Sequence, residues 1–286
     1  MTQEPLAGLD DQQRRAAETL LGPVCILAGA GTGKTRALTH RIAHGVASGV
    51  YPPERVMALT FTTRAAGELR GRLRRLGAGR VAARTFHSAA LAQLGFFWPQ
   101  LVGGRTPEVL PGKGRLLGQA AESLRMRLDT AALRDLASEI EWRKVRRMPL
   151  DEYARVARAS RTPPPGLDVD AVVELQQRYE DLKDERRAID FEDVLLVTAG
   201  MLEAEQRVAD QVRAQYRFFV VDEYQDVSPL QQELLELWLG PRSDVCVVGD
   251  ASQTIYSFAG ASNEYLLGFA SRYPDAEVVR LERNYR

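Results

Sequence analysis

No stretch of this 286-residue chain is apolar for long enough to cross a membrane as a helix; its apolar runs are strand-sized. The N-terminus, MTQEPLAGLDDQQ, has neither a basic leader nor an apolar core, so no secretory signal is read there. Cysteine is scarce. Cys25 and Cys246 are the only two, each inside an apolar strand-like run. That excludes a disulfide framework or thiolate metal site and points to buried, reduced thiols in a cytoplasmic protein. Net charge is also lacking, with 38 Lys and Arg against 38 Asp and Glu. Lysine is nearly missing: Lys34, Lys113, Lys144 and Lys183 are the only four. With abundant Ala and Leu, this arginine bias reads as genome composition rather than function. No internal repeat or low-complexity tract is present. What is there is ordinary globular composition, 45% hydrophobic and 27% charged, enough for one large domain or two modest ones.

The zero balance hides an asymmetry. Residues 1–150 carry 23 basic and 12 acidic groups, and the remainder carries 15 and 26. Basic density of that kind suits a phosphate-backbone partner, although solvated helix faces produce similar runs. Short β-branched runs recur at Val24–Leu27, Val56–Thr60, Val81–Thr85, Phe218–Val221, Val245–Val248 and Val278–Leu281. Helical patterns follow several of them, such as Arg64–Leu76 and Pro229–Leu239. Strands alternating with helices predict an α/β fold with a parallel sheet covered on both faces. From about Gly95 to Arg187 no comparable strand is read. Helical stretches lie near 114–127, 130–146, 150–159 and 169–187, broken by a turn at Thr162-Pro163-Pro164-Pro165-Gly166. The expected organisation is therefore a first α/β part (1–94), a helical insertion subdomain (95–187) and a second α/β part (188–286).

Two elements carry phosphate chemistry. After the apolar run Val24–Leu27 comes Ala28-Gly29-Ala30-Gly31-Thr32-Gly33-Lys34-Thr35, which opens a helix to about Ala47. Strand, glycine-rich loop and helix make a P-loop, matching the strict pattern everywhere but at Ala28. Its backbone N–H groups and helix N-terminus would cradle phosphates, Lys34 would reach the β- and γ-phosphates, and Thr35 would ligate Mg²⁺. The second element is Phe218-Phe219-Val220-Val221-Asp222-Glu223-Tyr224-Gln225-Asp226. An apolar strand ending in two carboxylates fits a Walker B element, with Asp222 on Mg²⁺ and Glu223 accepting a proton from, or orienting, the attacking water.

At DEYQD (222–226) the resemblance becomes specific. It is similar to motif II of the UvrD/PcrA/Rep-type DNA helicases of superfamily 1A. Leu9-Asp10-Asp11-Gln12-Gln13-Arg14 resembles the Q motif, Thr60-Phe61-Thr62-Thr63-Arg64-Ala65-Ala66 motif Ia, and Thr85-Phe86-His87-Ser88 motif Ib. Asp190-Phe191-Glu192-Asp193 resembles the element where the chain re-enters the motor domain. Val248–Tyr256 resembles motif III, and Leu281-Glu282-Arg283-Asn284-Tyr285-Arg286 resembles motif IV.

The resemblance implies a RecA-like P-loop NTPase domain and an ATP-dependent, 3′-to-5′ single-stranded DNA translocase and helicase, acting in DNA repair or replication. ATP and Mg²⁺ are the implied cofactors; single-stranded DNA and single-strand/duplex junctions are the implied partners. Gln13, Arg36 and Tyr285 would bind the nucleoside, with Gln13 on the adenine edge and Tyr285 stacked on the ring. Gln253 would sense the γ-phosphate and Arg286 would approach it. Phe61, Thr63, Arg64, Thr85, His87, Tyr256 and Phe258 would face DNA, the aromatics by base stacking. Departures from the family pattern suggest a divergent, actinobacterial-type UvrD-like paralogue: Ala259 replaces a motif III arginine, and Thr63 and Arg64 replace Asn and Lys. The family carries a second RecA-like domain after motif IV, with an arginine that reaches the γ-phosphate. This chain, ending at motif IV, is therefore expected to bind nucleotide weakly, hydrolyse it poorly and not unwind DNA alone. An alternative is a nucleotide-regulated DNA-binding module without useful turnover; a small-molecule P-loop kinase would leave DEYQD and motif III unexplained.

Three features stay open at this level. His40 and His44 lie one helical turn apart without a third ligand, which reads as a partly exposed face rather than a metal site. Arg143-Lys144-Val145-Arg146-Arg147 could touch duplex phosphates or be a solvated helix end. Trp142 could be core or contact.

Overall fold

A computed structural model describes residues 4–250, 252 and 263–285. In chain order it contains α1 (Asp11–Glu18), β1 (Val24–Ala28), α2 (Lys34–Ala47), β2 (Val56–Thr60), α3 (Thr63–Arg75), β3 (Ala82–Thr85) and α4 (Phe86–Leu101). Then follow β4 (Glu108–Val109), α5 (Gly114–Ser123), α6 (Thr130–Lys144), α7 (Leu150–Ser160), α8 (Val169–Glu185) and β5 (Ala188–Ile189). The described chain continues with α9 (Phe191–Ala204), α10 (Gln206–Gln215), β6 (Phe218–Val221), α11 (Pro229–Leu239), β7 (Val245–Gly249) and β8 (Glu277–Leu281), with two short helical turns before β8.

Six of these strands form one parallel sheet in the order β3-β2-β6-β7-β1-β8. Because successive strand residues point to opposite faces, each run supplies two cores. Cys25, Met57, Leu59, Phe219, Val221 and Val247 pack with residues of α4, α9 and α11 on one face. Val24, Ile26, Val56, Ala58, Val220, Cys246 and Val248 pack with α2 and α3 on the other. Double-sided burial is why these runs are apolar throughout instead of alternating. Cys25 and Cys246 are buried free thiols, and burial raises the Cys25 pKa to about 12.

Between α4 and β5 the helices α5 to α8 bury a core of their own around Leu117, Leu136, Ile140, Leu175 and Tyr179. One detail departs from the sequence reading: Glu108–Val109 pairs in parallel with Ala188–Ile189, a strand inside the stretch read as strandless. Two residues are too few to carry a period-2 signature. The helix α4 also runs unbroken through residues 94 and 95, ending two residues beyond Pro99.

The first half of the basic cluster at the end of α6 is not a solvated end. Arg143 and Lys144 are buried. Arg143 donates to Gln176 at 2.7 Å and Glu180 at 2.9 Å. Lys144 lies 2.7 Å from both Asp190 and Asp193 and 3.0 Å from Glu180. The Val145 carbonyl accepts the Leu230 N–H of α11 at 3.0 Å, and Arg147 pairs with Glu203 and Glu233. Burial alone would lower the Lys144 pKa, but Asp190, Asp193 and Glu180 hold it above its usual value. The cluster is the joint between the helical unit and the sheet. Trp142 lies there too, with the Arg161 and Arg146 guanidinium carbons 3.9 and 4.4 Å from its ring centroid.

Candidate functional site

All the sheet's chemistry converges on the C-terminal ends of its strands, where a parallel sheet leaves its loops and helix N-termini open to ligands. The P-loop leaves β1 there. Gly31 and Gly33 have φ of +80° and +82°, a left-handed conformation that favours glycine. Ala28, where the usual pattern has glycine, remains a strand residue and needs no such freedom. A Cβ on Gly33 would stand 2.5 Å from the Gln13 amide nitrogen. Gln13 is fully buried; it donates to the Thr32 carbonyl at 3.1 Å and accepts the Asp10 N–H at 3.4 Å. It thus braces the loop from behind. The bracing helix α1 is tied in turn to α2 by Arg41, a buried guanidinium that donates to the carbonyls of Ala16, Thr19 and Leu20. Motif IV closes over the same loop. The Tyr285 N–H donates to Gly31 O at 3.0 Å and its hydroxyl to Asp10 at 2.5 Å, while Arg36 donates to Gly8 O at 2.8 Å.

Opposite the P-loop stand the carboxylates that follow β6. One strand, β7, separates β6 from β1, yet Lys34 Nζ reaches Glu223 Oε2 at 3.1 Å. Glu223 takes left-handed backbone angles (φ 52°, ψ 43°), a conformation that costs a non-glycine residue about 1–2 kcal/mol. Its N–H donates to Asp222 Oδ1 at 3.0 Å, which ties the two acidic residues together. Burial, with Glu223 close by, raises Asp222 to about 6. Lys34 and Arg72 offset that penalty only in part, and a divalent ion would offset it further. Thr35, at the first turn of α2, and Asp222 are a suitable hard-oxygen pair. Among the described residues no group of three or more His, Cys, Asp or Glu could hold a metal by itself. Such a pair fits Mg²⁺, which takes few protein ligands and fills its octahedron with phosphate oxygens and water. His40 bonds the Pro5 carbonyl through Nδ1 at 2.5 Å.

A second concavity of about 250 Å³ lies beside the ends of β2 and β3, with Phe61, Thr62, His87, Phe191, Leu195 and Gln231 in its wall. His87 and Phe191 stack face to face at 3.6 Å, and Phe191 is 53% exposed. Burial, with Lys113 nearby, lowers the His87 pKa to about 4, so the ring is neutral near pH 7. Sequence reading missed Phe191 as a contact candidate; its one signal was an apolar residue inside an acidic stretch. Thr63 and Arg64 lie exposed at the start of α3, where Arg64 pairs with Glu68. Thr85 is different: buried, it caps α4 in a reciprocal pair of hydrogen bonds with Ser88. Gln253, Tyr256, Phe258 and Arg286 lie outside the described residues.

Comparison with known proteins agrees with this layout. The sequence profile for the UvrD/REP helicase N-terminal domain matches residues 9–274. ATP-dependent DNA helicase UvrD2 of Mycobacterium tuberculosis is 51% identical over 98% of this chain and 42% of its own length. ATP-dependent DNA helicase PcrA of Bacillus subtilis is 31% identical over 98% of this chain and 38% of its own. ATP-dependent DNA helicase UvrD1 of Mycobacterium leprae is also 31% identical, over 98% and 38%. The chain thus spans about two fifths of the length of these relatives.

Proposed function

The chain belongs to the UvrD/REP helicase N-terminal domain family, and on that premise we propose that it is the ATP-hydrolysing N-terminal motor half of a 3′-to-5′ single-stranded DNA translocase and helicase of DNA repair or replication. In this reading residues 1–94 and 188–286 are two parts of one motor domain and 95–187 an insertion subdomain, a division favoured by the separate core of α5 to α8. A second motor domain, in cis or in trans, would complete the machine, and single-strand/duplex junctions would be its substrate.

The observation that carries the reading is the Lys34–Glu223 pair at 3.1 Å. In this reading the pair joins the ammonium that would bind phosphate to the carboxylate that would act as general base. An incoming triphosphate competes for Lys34 and releases the Glu223 carboxylate to take a proton from, or orient, the attacking water. Bound Mg²⁺, held by Thr35 and Asp222, would neutralise charge on the phosphates. Gln13, Arg36 and Tyr285 are assigned to the nucleoside, and Gln253 and Arg286 to the γ-phosphate, by motif alone. On the DNA side Phe61, His87 and Phe191 offer aromatic faces to unstacked bases, each worth about 1–3 kcal/mol. Thr63 and Arg64 would meet the backbone, and Thr85 would act by fixing the start of α4 beneath His87.

Hydrolysis of ATP with and without single-stranded DNA, by the chain and its Glu223→Gln variant, tests this. The expected result is slow turnover, raised by DNA and abolished by the substitution while nucleotide binding persists. Equal rates in the two proteins, or binding of no nucleotide by either, would overturn it.

A further inference from the structure

Gln225 is the third residue after the carboxylate pair's first member, buried at 2% exposure, and it belongs to neither the phosphate loop nor the aromatic pocket. Its amide is used at both ends. Nε2 donates to Glu223 Oε2 at 2.8 Å, and Oε1 accepts the N–H of Asp250 at 3.0 Å, just beyond the end of β7. The site is tight: a Cβ on Gly249 would stand 2.7 Å from Gln225 Oε1. Because a backbone N–H can only donate, the amide oxygen must face Asp250 and the NH₂ must face Glu223. Among side chains of this length only an amide accepts at one end while donating to a carboxylate at the other. Glutamate lacks the donor, and methionine lacks both.

Glu223 Oε2 is shared by two donors, Lys34 Nζ at 3.1 Å and Gln225 Nε2. A triphosphate would draw Lys34 away, and the carboxylate would then keep one neutral tether. We propose that Gln225 is a positioning residue for Glu223. It holds the carboxylate in its left-handed perch once Lys34 has turned to phosphate, and it fixes that perch to the backbone where β7 ends.

This rests on the reading of Glu223 as general base, and the experiment separates the two. Single-turnover hydrolysis of ATP, with protein in excess, would be measured for the chain and for Gln225→Ala, Gln225→Glu, Glu223→Gln and Gln225→Ala/Glu223→Gln. The dissociation constant for ATP and the melting temperature accompany each rate. Gln225→Ala should lower the rate at least about tenfold, a fraction of what a general base supplies, with ATP affinity kept within about twofold. Gln225→Glu, which retains the acceptor for Asp250 but turns an oxygen toward Glu223, should be at least as slow. In the Glu223→Gln background Gln225→Ala should have no further effect. Should Gln225→Glu hydrolyse like the unaltered chain, Gln225 merely ties β6 to β7 and the proposal fails. Equal losses from Gln225→Ala in both backgrounds would overturn it as well. If instead Glu223→Gln matches the unaltered chain, the general-base reading itself falls.

Discussion

Lys144→Met is the most informative single perturbation of the joint between the helical unit and the sheet. Lys144 is 3% exposed and sits among Asp190, Asp193 and Glu180, at 2.7, 2.7 and 3.0 Å. Lys183 contacts the same three carboxylates, and Arg143 also reaches Glu180. Three cations therefore balance three carboxylates. Methionine keeps most of the volume but removes one charge, leaving a buried carboxylate uncompensated. That costs about 3–5 kcal/mol, a large part of a total stability of about 5–15 kcal/mol. Urea unfolding followed by circular dichroism would read this as a lower midpoint at unchanged slope. A second substitution tests the cause. Asp190 caps α9 with its side chain, accepting the Asp193 N–H at 3.0 Å, and asparagine caps equally well. Asp190→Asn in the Lys144→Met background restores neutrality without losing the cap and should recover about 1–3 kcal/mol. A loss below about 1 kcal/mol for the single variant would refute the charge argument, as would a double variant no more stable than the single.

Three further expectations follow from the same geometry. Gly33→Ala combines a φ of +82° with a Cβ 2.5 Å from Gln13; nucleotide affinity measured by fluorescence titration should fall at least about tenfold, the equivalent of about 1.4 kcal/mol, and unchanged affinity would contradict the bracing role given to Gln13. His87 is held neutral with its pKa near 4 by burial and by Lys113, whereas the unfolded imidazole titrates near about 6.5. The unfolded chain therefore binds the extra proton first, so stability is complete above about pH 6.5 and declines toward pH 4, by at most about 3 kcal/mol; His87→Phe should flatten that part of the urea-midpoint profile. Phe191→Ala should weaken binding of an oligothymidylate by about 1–3 kcal/mol in fluorescence anisotropy, and an unchanged affinity would remove Phe191 from the DNA-facing surface.

Much of the sheet was legible because its strands are buried on both faces: Val56–Thr60, Phe218–Val221 and the helix Pro229–Leu239 lie where the apolar pattern puts them. Loop chemistry was legible for another reason. A P-loop needs glycine at fixed offsets, and Gly31 and Gly33 have the positive φ that the motif demands. Pairings between distant side chains leave no such trace. Gln225 finds Asp250, 25 residues away, and Lys144 finds Asp190 and Asp193, 46 and 49 residues away, through topology alone. Phe191 finds His87 in the same way. Local pattern could give only the kind of residue at each of these places, and so the basic run at 143–147 read equally as a phosphate contact or a solvated helix end.

One compositional signal was nevertheless richer than its first reading. Arginine dominates this chain, and only four lysines occur. All four pair with carboxylates from low exposure: the side chains of Lys34, Lys113, Lys144 and Lys183 are 12%, 13%, 2% and 4% exposed. Genome bias accounts for the arginines but not for where the exceptions fall. An ammonium is a compact point charge with three donors, able to fit among three carboxylates, whereas a guanidinium is a wide planar fork. Lys144→Arg, conservative in charge, should then be destabilising by overpacking, by about 1–3 kcal/mol. The reverse exchange at an exposed arginine, Arg74→Lys, should stay within about 0.5 kcal/mol of the unaltered chain. Urea midpoints of the two variants decide it: if Lys144→Arg is as silent as Arg74→Lys, the buried lysines are leftovers of composition and not a requirement of the joint.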